Sequence, residues 1–205
     1  MPECGDVDDP RAVEAAAAHL AAGRAVVLPT DTVYGLAVLP SVPGATDLVF
    51  AVKGRPATVP LAVLVDTLDQ ALGFAEPPPP AVAELVAAFW PGPLTVVLHR
   101  RPDSDLELGG DGDTVGVRSP EHDVVRGLAR RLGPLAVTSA NRHGRPTPVT
   151  ADEVATELGD AVAYVLDGGP CEGVASTVVD GTRDELPVLR AGPISAEAVA
   201  RVALR

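Results

Sequence analysis

Lys53 and Arg55 flank Gly54, and Pro56 keeps Arg55 out of helical geometry. In an extended stretch, side chains two residues apart point to the same side. Two cations set side by side repel each other unless an anion lies between them. A triphosphate or a carboxylate meets that need, with Lys as a point charge and Arg as a planar fork. The alternative is a pair of solvated surface charges. Composition sharpens the choice: the chain has 15 Arg but one Lys, Lys53, and one Asn, Asn141. In a chain that avoids both residue types, the survivors are candidates for chemistry. Thr138-Ser139-Ala140-Asn141 offers hydroxyls and an amide that can hold ribose or phosphate oxygens, or close their own loop. Thr30, Asp31 and Thr32, shortly before Gly35, likewise either bind a ligand or form a turn. Arg118, with Pro120 close behind, and Arg190, before Gly192-Pro193, are placed for a carboxylate or for surface ion pairs.

Other chemistries lack their residues. There is no G-x-x-x-x-G-K-[ST] phosphate loop, no G-x-G-x-x-G fingerprint and no G-x-S-x-G elbow. His19, His99, His122 and His143 are scattered without metal-ligand spacing. Cys4 and Cys171 make neither a disulfide framework nor a zinc knuckle, and Cys171 has no evident base. No metal-ligand set and no covalent nucleophile is expected.

The elements that would position these residues alternate between helix and strand. Asp9 as N-cap, Pro10 at the first helical position and Gly23 as stop define a first helix. Short apolar strands are predicted at 25–28, 61–65, 94–98, 114–117, 135–137, 163–166, 177–179 and 188–189. Helices are predicted at 46–52, at 66–71 capped by Asp66, at 80–89 opened by Pro80, and at 123–132 stopped by Gly133-Pro134. Thr150 with Glu153 forms a capping box for a helix to Leu158, and Ser195 caps the last helix. Pro77 to Pro80 is a stiff surface connector. The early alternation predicts parallel pairing, and the helix-free strands after 160 predict a mixed sheet. Polar Gly/Pro-rich segments follow the strands repeatedly, so a ligand crevice is expected at the strand ends.

The 205 residues are 46% hydrophobic but only 3% aromatic, which suits one α/β domain with a core of Val, Leu and Ala. A disordered chain is excluded. No apolar run reaches the ~18 residues of a membrane span, and the acidic start MPECGDVDDP is unlike a signal peptide, so a cytoplasmic protein is expected. A net charge of −12 disfavours a nucleic-acid clamp as the main role.

Eight segments in order carry a family resemblance: LPTDTVYGLA, KGRP with PLAVLV, PGPLTVVL, VGVRSP-x-H, PLAVTSAN, GRPTPVTADEV, STVVD and LRAGP. From about residue 12 to the C-terminus the chain resembles the YrdC/TsaC family, the L-threonylcarbamoyladenylate synthases of tRNA modification. The resemblance implies a single YrdC-like domain over 1–205, a twisted mixed α/β sheet with flanking helices around a large open cavity. It implies that L-threonine, bicarbonate and ATP, with Mg²⁺, yield threonylcarbamoyl-AMP and pyrophosphate, for downstream proteins that transfer the threonylcarbamoyl group to tRNA. The family's K-x-R…S-x-N signature falls on Lys53, Arg55, Ser139 and Asn141. Carried over, Lys53 and Arg55 face the phosphates and the carbamoyl carboxylate and are the catalytic pair. Ser139, Asn141, Thr147 and Arg190 contact the nucleotide, Thr32 and Ser176 contact threonine, and Arg118 pairs with its carboxylate. The chain departs from the pattern at Thr138, where Pro is frequent, and at Arg142-His143. The competing expectations are an RNA-binding module, disfavoured by the charge, and a non-catalytic regulatory module.

Overall fold

The computed structural model describes residues 1–54, 56–110 and 112–203. Arg55 therefore lies outside the described residues. A first strand, β1 (Glu3–Asp6), precedes helix α1 (Pro10–Ala21). The Asp9 carboxylate caps α1 by accepting from Arg11 N–H, and Gly23 leaves it at φ 72°. Strand β2 (Val26–Leu28) turns through residues 29–34 straight into β3 (Gly35–Val38), which pairs with it antiparallel. Helix α2 (Ala45–Lys53) ends at left-handed Gly54. Then come β4 (Ala62–Leu64), α3 (Leu68–Ala71), α4 (Pro80–Phe89), β5 (Leu94–His99), β6 (Thr114–Arg118) and α5 (Asp123–Leu132). The chain closes with β7 (Leu135–Ser139), α6 (Ala151–Leu158), a 3-10 turn (Gly159–Ala161), β8 (Tyr164–Asp167), β9 (Thr177–Asp180), β10 (Val188–Arg190) and α7 (Ala196–Ala203).

All ten strands form one twisted sheet in the order β1-β8-β2-β3-β7-β4-β6-β5-β9-β10. Pairing is mixed: β1–β8, β2–β8, β4–β6 and β5–β9 are parallel, whereas β3–β7, β4–β7, β5–β6 and β9–β10 are antiparallel. The early parallel alternation expected from the sequence is corrected at β2–β3, because no helix separates those two strands. Two further differences are local. Thr67, not Asp66, caps α3, accepting from Gln70 N–H at 3.3 Å, while the Asp66 carboxylate pairs with Arg130. Glu153 completes the cap of α6 through Val149 N–H at 2.8 Å rather than through the cap residue itself.

The two-residue period of the strands divides the molecule. Val63, Val96, Val115, Val117, Ala136 and Val179 project from one face into a core shared with α2, α4, α6 and α7. On the other face, α1 and α5 cover only part of the sheet, packing on Val26, Leu28, Ala37, Leu135 and Leu166. Beyond that cover, the alternate residues of β4, β5, β6 and β9 have no helix over them. They face a cavity instead.

Candidate functional site

The cavity has a volume of about 640 Å³. Its floor carries small or short side chains, among them Gly35, Ala62, Thr95 and Gly116. A Cβ on Gly116 would already lie 3.4 Å from Thr95 Cγ2, and one on Gly35 only 2.7 Å from Val137 Cγ2. The space thus depends on side chains that are missing.

At one end the 29–34 loop is shaped by Thr30. Its hydroxyl donates to Val33 O at 2.7 Å and accepts from Thr32 and Val33 N–H at 3.2 Å each, a local alternative to further strand pairing. The Thr32 hydroxyl sits 3.0 Å from Thr30 Oγ1 and accepts from Arg118 Nη1 at 2.7 Å. The segment that follows β8 staples the loop from outside. Gly173 N–H donates to Thr32 O at 3.0 Å, and the Cys171 thiol donates to Thr30 O at 3.4 Å. The buried Tyr34 hydroxyl lies 2.7 Å from Gly169 O and accepts from Gly168 N–H at 3.2 Å.

Arg118 reaches the cavity from the end of β6 and is only 6% exposed. Its Nε donates to Gly92 O at 3.0 Å, Nη1 to Thr32, and Nη2 to the Asp31 carboxylate in an ion pair. A guanidinium has five N–H donors, so Nη1 and Nη2 each keep one for a ligand. Burial pulls the Arg118 pKa down from its ordinary value, opposed by Asp31, and nearby Arg190 adds to the pull. Burial lowers Arg190 as well. An arginine stays charged regardless. Arg190 binds Ser176 twice, through Nε to its carbonyl and through Nη2 to its hydroxyl, both at 3.0 Å. The Ser176 hydroxyl also meets Thr95 Oγ1 at 2.8 Å. Two cations and a row of hydroxyls on one wall suit an anionic, polyhydroxylated ligand.

Beside the 29–34 loop stands the Ser139–Asn141 turn, where Gly35 pairs with Ser139 and Ala140 N–H donates to Tyr34 O at 2.8 Å. Ser139 is the last residue of β7, not a loop residue, and Thr138 pairs with Leu36 in the sheet. Ser139 and Thr147 line the cavity. Lys53 and Asn141 are buried behind them, 5% and 8% exposed, and are not among the lining residues. The Lys53 ammonium donates to Ser139 O at 2.5 Å and to Asn141 O at 2.6 Å.

The structure thus brings Thr32, Arg118, Ser139, Thr147, Ser176 and Arg190 around one cavity and places Lys53 and Asn141 just outside its wall. Sequence reading left Asp31 undecided as a turn former and passed over Thr95. The signal for Thr95 was a polar residue at an alternate position of a strand otherwise made of Leu and Val. Among the described residues no three His, Cys, Asp or Glu side chains cluster as a metal site. No described helix is long and apolar enough to cross a membrane.

Comparison with known proteins gives a consistent result. The Sua5/YciO/YrdC family model, described as telomere recombination, matches residues 18–192. A Mycobacterium tuberculosis protein named putative threonylcarbamoyl-AMP synthase is 41% identical, with 98% of this chain and 95% of the relative covered. A Bacillus subtilis threonylcarbamoyl-AMP synthase is 37% identical over 95% of this chain, which spans 57% of that protein. The crystal structure of P. abyssi Sua5 complexed with L-threonine superposes with a TM-score of 0.87 at 33% identity, over 98% of this chain and 60% of that one.

Proposed function

The chain belongs to the Sua5/YciO/YrdC family, and from that premise we propose that it is a threonylcarbamoyl-AMP synthase. It joins L-threonine, bicarbonate and ATP into L-threonylcarbamoyladenylate and pyrophosphate, in the cytoplasm, for proteins that carry the threonylcarbamoyl group to tRNA. The observation that carries this reading is Arg118, a buried guanidinium with two N–H donors left, lining a cavity that Ser139 of the signature lines as well. The L-threonine complex of P. abyssi Sua5 supports it.

In this mechanism the threonine carboxylate takes the spare Nη1 and Nη2 donors of Arg118, and the Thr32 and Ser176 hydroxyls fix the rest of the amino acid. The nucleotide lies along Ser139, Thr147 and Arg190. Lys53, held behind the turn by Asn141, is one cation of the signature, and Arg55, two residues on in sequence, is the other. The unprotonated threonine amine attacks the carbon of bicarbonate, water leaves, and an N-carboxylate remains. An oxygen of that carboxylate attacks the α-phosphorus of ATP, and the bond to the β-phosphate oxygen breaks to release pyrophosphate. Two anions must meet, so the protein's contribution is charge neutralisation and alignment. No side-chain nucleophile is needed. Burial raises the Cys171 thiol pKa, and its proton goes to Thr30 O, so it is not poised for attack. With no carboxylate cluster among the described residues, Mg²⁺ would come in on the triphosphate and would screen phosphate charge there.

The test is pyrophosphate release from ATP with Mg²⁺ and bicarbonate, with and without L-threonine, the nucleotide product being identified by mass. Threonine-dependent release with threonylcarbamoyl-AMP formed is the expected result. ATP binding without threonine-dependent turnover would favour a regulatory module. A salt-sensitive tRNA shift as the sole activity would favour an RNA-binding one.

A further inference from the structure

Asn141 has every hydrogen-bonding position filled from within the protein. Its Oδ1 accepts from Ser139 Oγ at 2.6 Å and from Lys53 Nζ at 3.1 Å. Its Nδ2 donates to Arg142 O at 3.1 Å and to Arg145 O at 2.7 Å. A side-chain amide has two acceptor and two donor positions, and all four are in use. The Lys53 ammonium has three donors, and three oxygens receive them: Ser139 O, Asn141 O and Asn141 Oδ1. The main chain repeats the link, since His143 N–H donates to Lys53 O at 2.9 Å. Lys53 is the last residue of α2, and the left-handed Gly54 that follows ends the helix there. The end of α2 and the start of the 139–147 segment are therefore joined through one lysine, across 88 residues of sequence.

We infer that Lys53 is a positioning residue, whose ammonium ties the 139–145 turn to the end of α2 so that Ser139 and Thr147 face the nucleotide. Among the described residues its ammonium hydrogen bonds go to the turn. A buried ammonium converging on two carbonyls and an amide oxygen holds that turn in one shape, because each acceptor left unmatched would carry a desolvation penalty. The inference rests on the nucleotide reading given above.

Two measurements separate a tether from a phosphate ligand. The first compares ATP and AMP affinity in the wild type, Lys53→Met and Lys53→Arg by calorimetry. A tether predicts that Lys53→Met weakens both nucleotides by a similar factor, about 10-fold or more. Lys53→Arg does not restore binding, because a planar fork cannot converge on three oxygens around one nitrogen. A much larger loss for ATP than for AMP, or rescue by Lys53→Arg, overturns the inference. The second is amide hydrogen exchange. Asn141, His143 and Arg145 exchange faster in Lys53→Met while α1 is unchanged; unaltered exchange at those three amides overturns the inference. If Lys53→Met does not melt cooperatively, Asn141→Ala removes the Oδ1 acceptor and keeps the charge, and the same equal loss for ATP and AMP is expected. A wild type that binds neither nucleotide defeats the functional reading, and the exchange comparison still decides the tether.

Discussion

Replacing Asp31 by Asn removes one negative charge from beside the Arg118 guanidinium while keeping the side chain's shape. The two side chains are nearly enclosed, 14% and 7% exposed, and Arg190 adds a second positive charge to the same wall. Breaking a fully buried ion pair by removing one partner costs about 3–5 kcal/mol. Here the amide retains one acceptor, and the cavity admits water to the guanidinium, so the loss belongs at or below the lower end, about 2–3 kcal/mol. For a chain of this size each kcal/mol moves Tm by about 2–4 °C, so Asp31→Asn melts about 5–10 °C below wild type. The functional effect has a direction too. The charge-assisted bond that fixes Nη2 becomes a weaker neutral one, so the pair of donors proposed for the threonine carboxylate is less firmly preset. Loss of about 1.4 kcal/mol of binding raises the KM for L-threonine about 10-fold. The KM for ATP stays near wild type, because Ser139 and Thr147 are untouched. The assays are a melting curve and pyrophosphate release with each substrate titrated in turn. A Tm within 2 °C of wild type, or an equal rise in both KM values, would show that Asp31 does not hold Arg118 for threonine.

Lys53→Ala and Arg55→Ala each lower turnover at least ~100-fold in the pyrophosphate assay, the scale of losing one group that aligns or neutralises the reacting atoms; near-wild-type turnover removes that residue from the mechanism. Gly116→Val places methyl groups over the floor near Thr95 and Ala62, so ligand affinity falls about 10-fold while Tm changes little, since a β-branched residue suits the strand; calorimetry and melting read the two effects separately. His122 has its pKa lowered from 6.5, first by burial, with Asp31 and Asp123 opposing, and its Nδ1 lacks a partner among the described residues. The unfolded chain therefore binds the proton more readily, and stability present above about pH 6.5 is lost as pH falls toward the depressed folded value. His122→Gln flattens that part of the Tm–pH curve between pH 7.5 and 5; an unchanged slope assigns the acid sensitivity to other groups.

Elements with local punctuation were legible in the sequence. Helices α4 and α5 begin and end where Pro80 and Gly133 place them, and Thr150 and Ser195 cap the helices predicted for them. Elements defined by their neighbours were not. β1 is a short, mostly exposed, acidic segment that is a strand only because β8 lies beside it. β3 begins at a glycine directly after a turn-forming run, so it reads as loop until β2 and β7 hold it on both sides. Ser139 was expected in a loop, whereas pairing with Gly35 carries β7 through it. The residues gathered around the cavity were named from resemblance and composition. Their division of labour needed three dimensions, since no pattern in sequence shows that Lys53 and Asn141 satisfy one another or that Asp31 backs Arg118.

The alternation along β4, β5, β6 and β9 also bears on how such a protein can change over time. Val63, Val96, Val117 and Val179 answer to the packed layer beneath the sheet, while Ala62, Thr95, Gly116 and Val178 answer mainly to what occupies the space above. Neighbouring codons are thus under different selection. A lineage can alter the upper series, and with it the shape and polarity offered to a substrate, without passing through poorly folded intermediates. The lower series can drift among aliphatic residues without altering what is accepted.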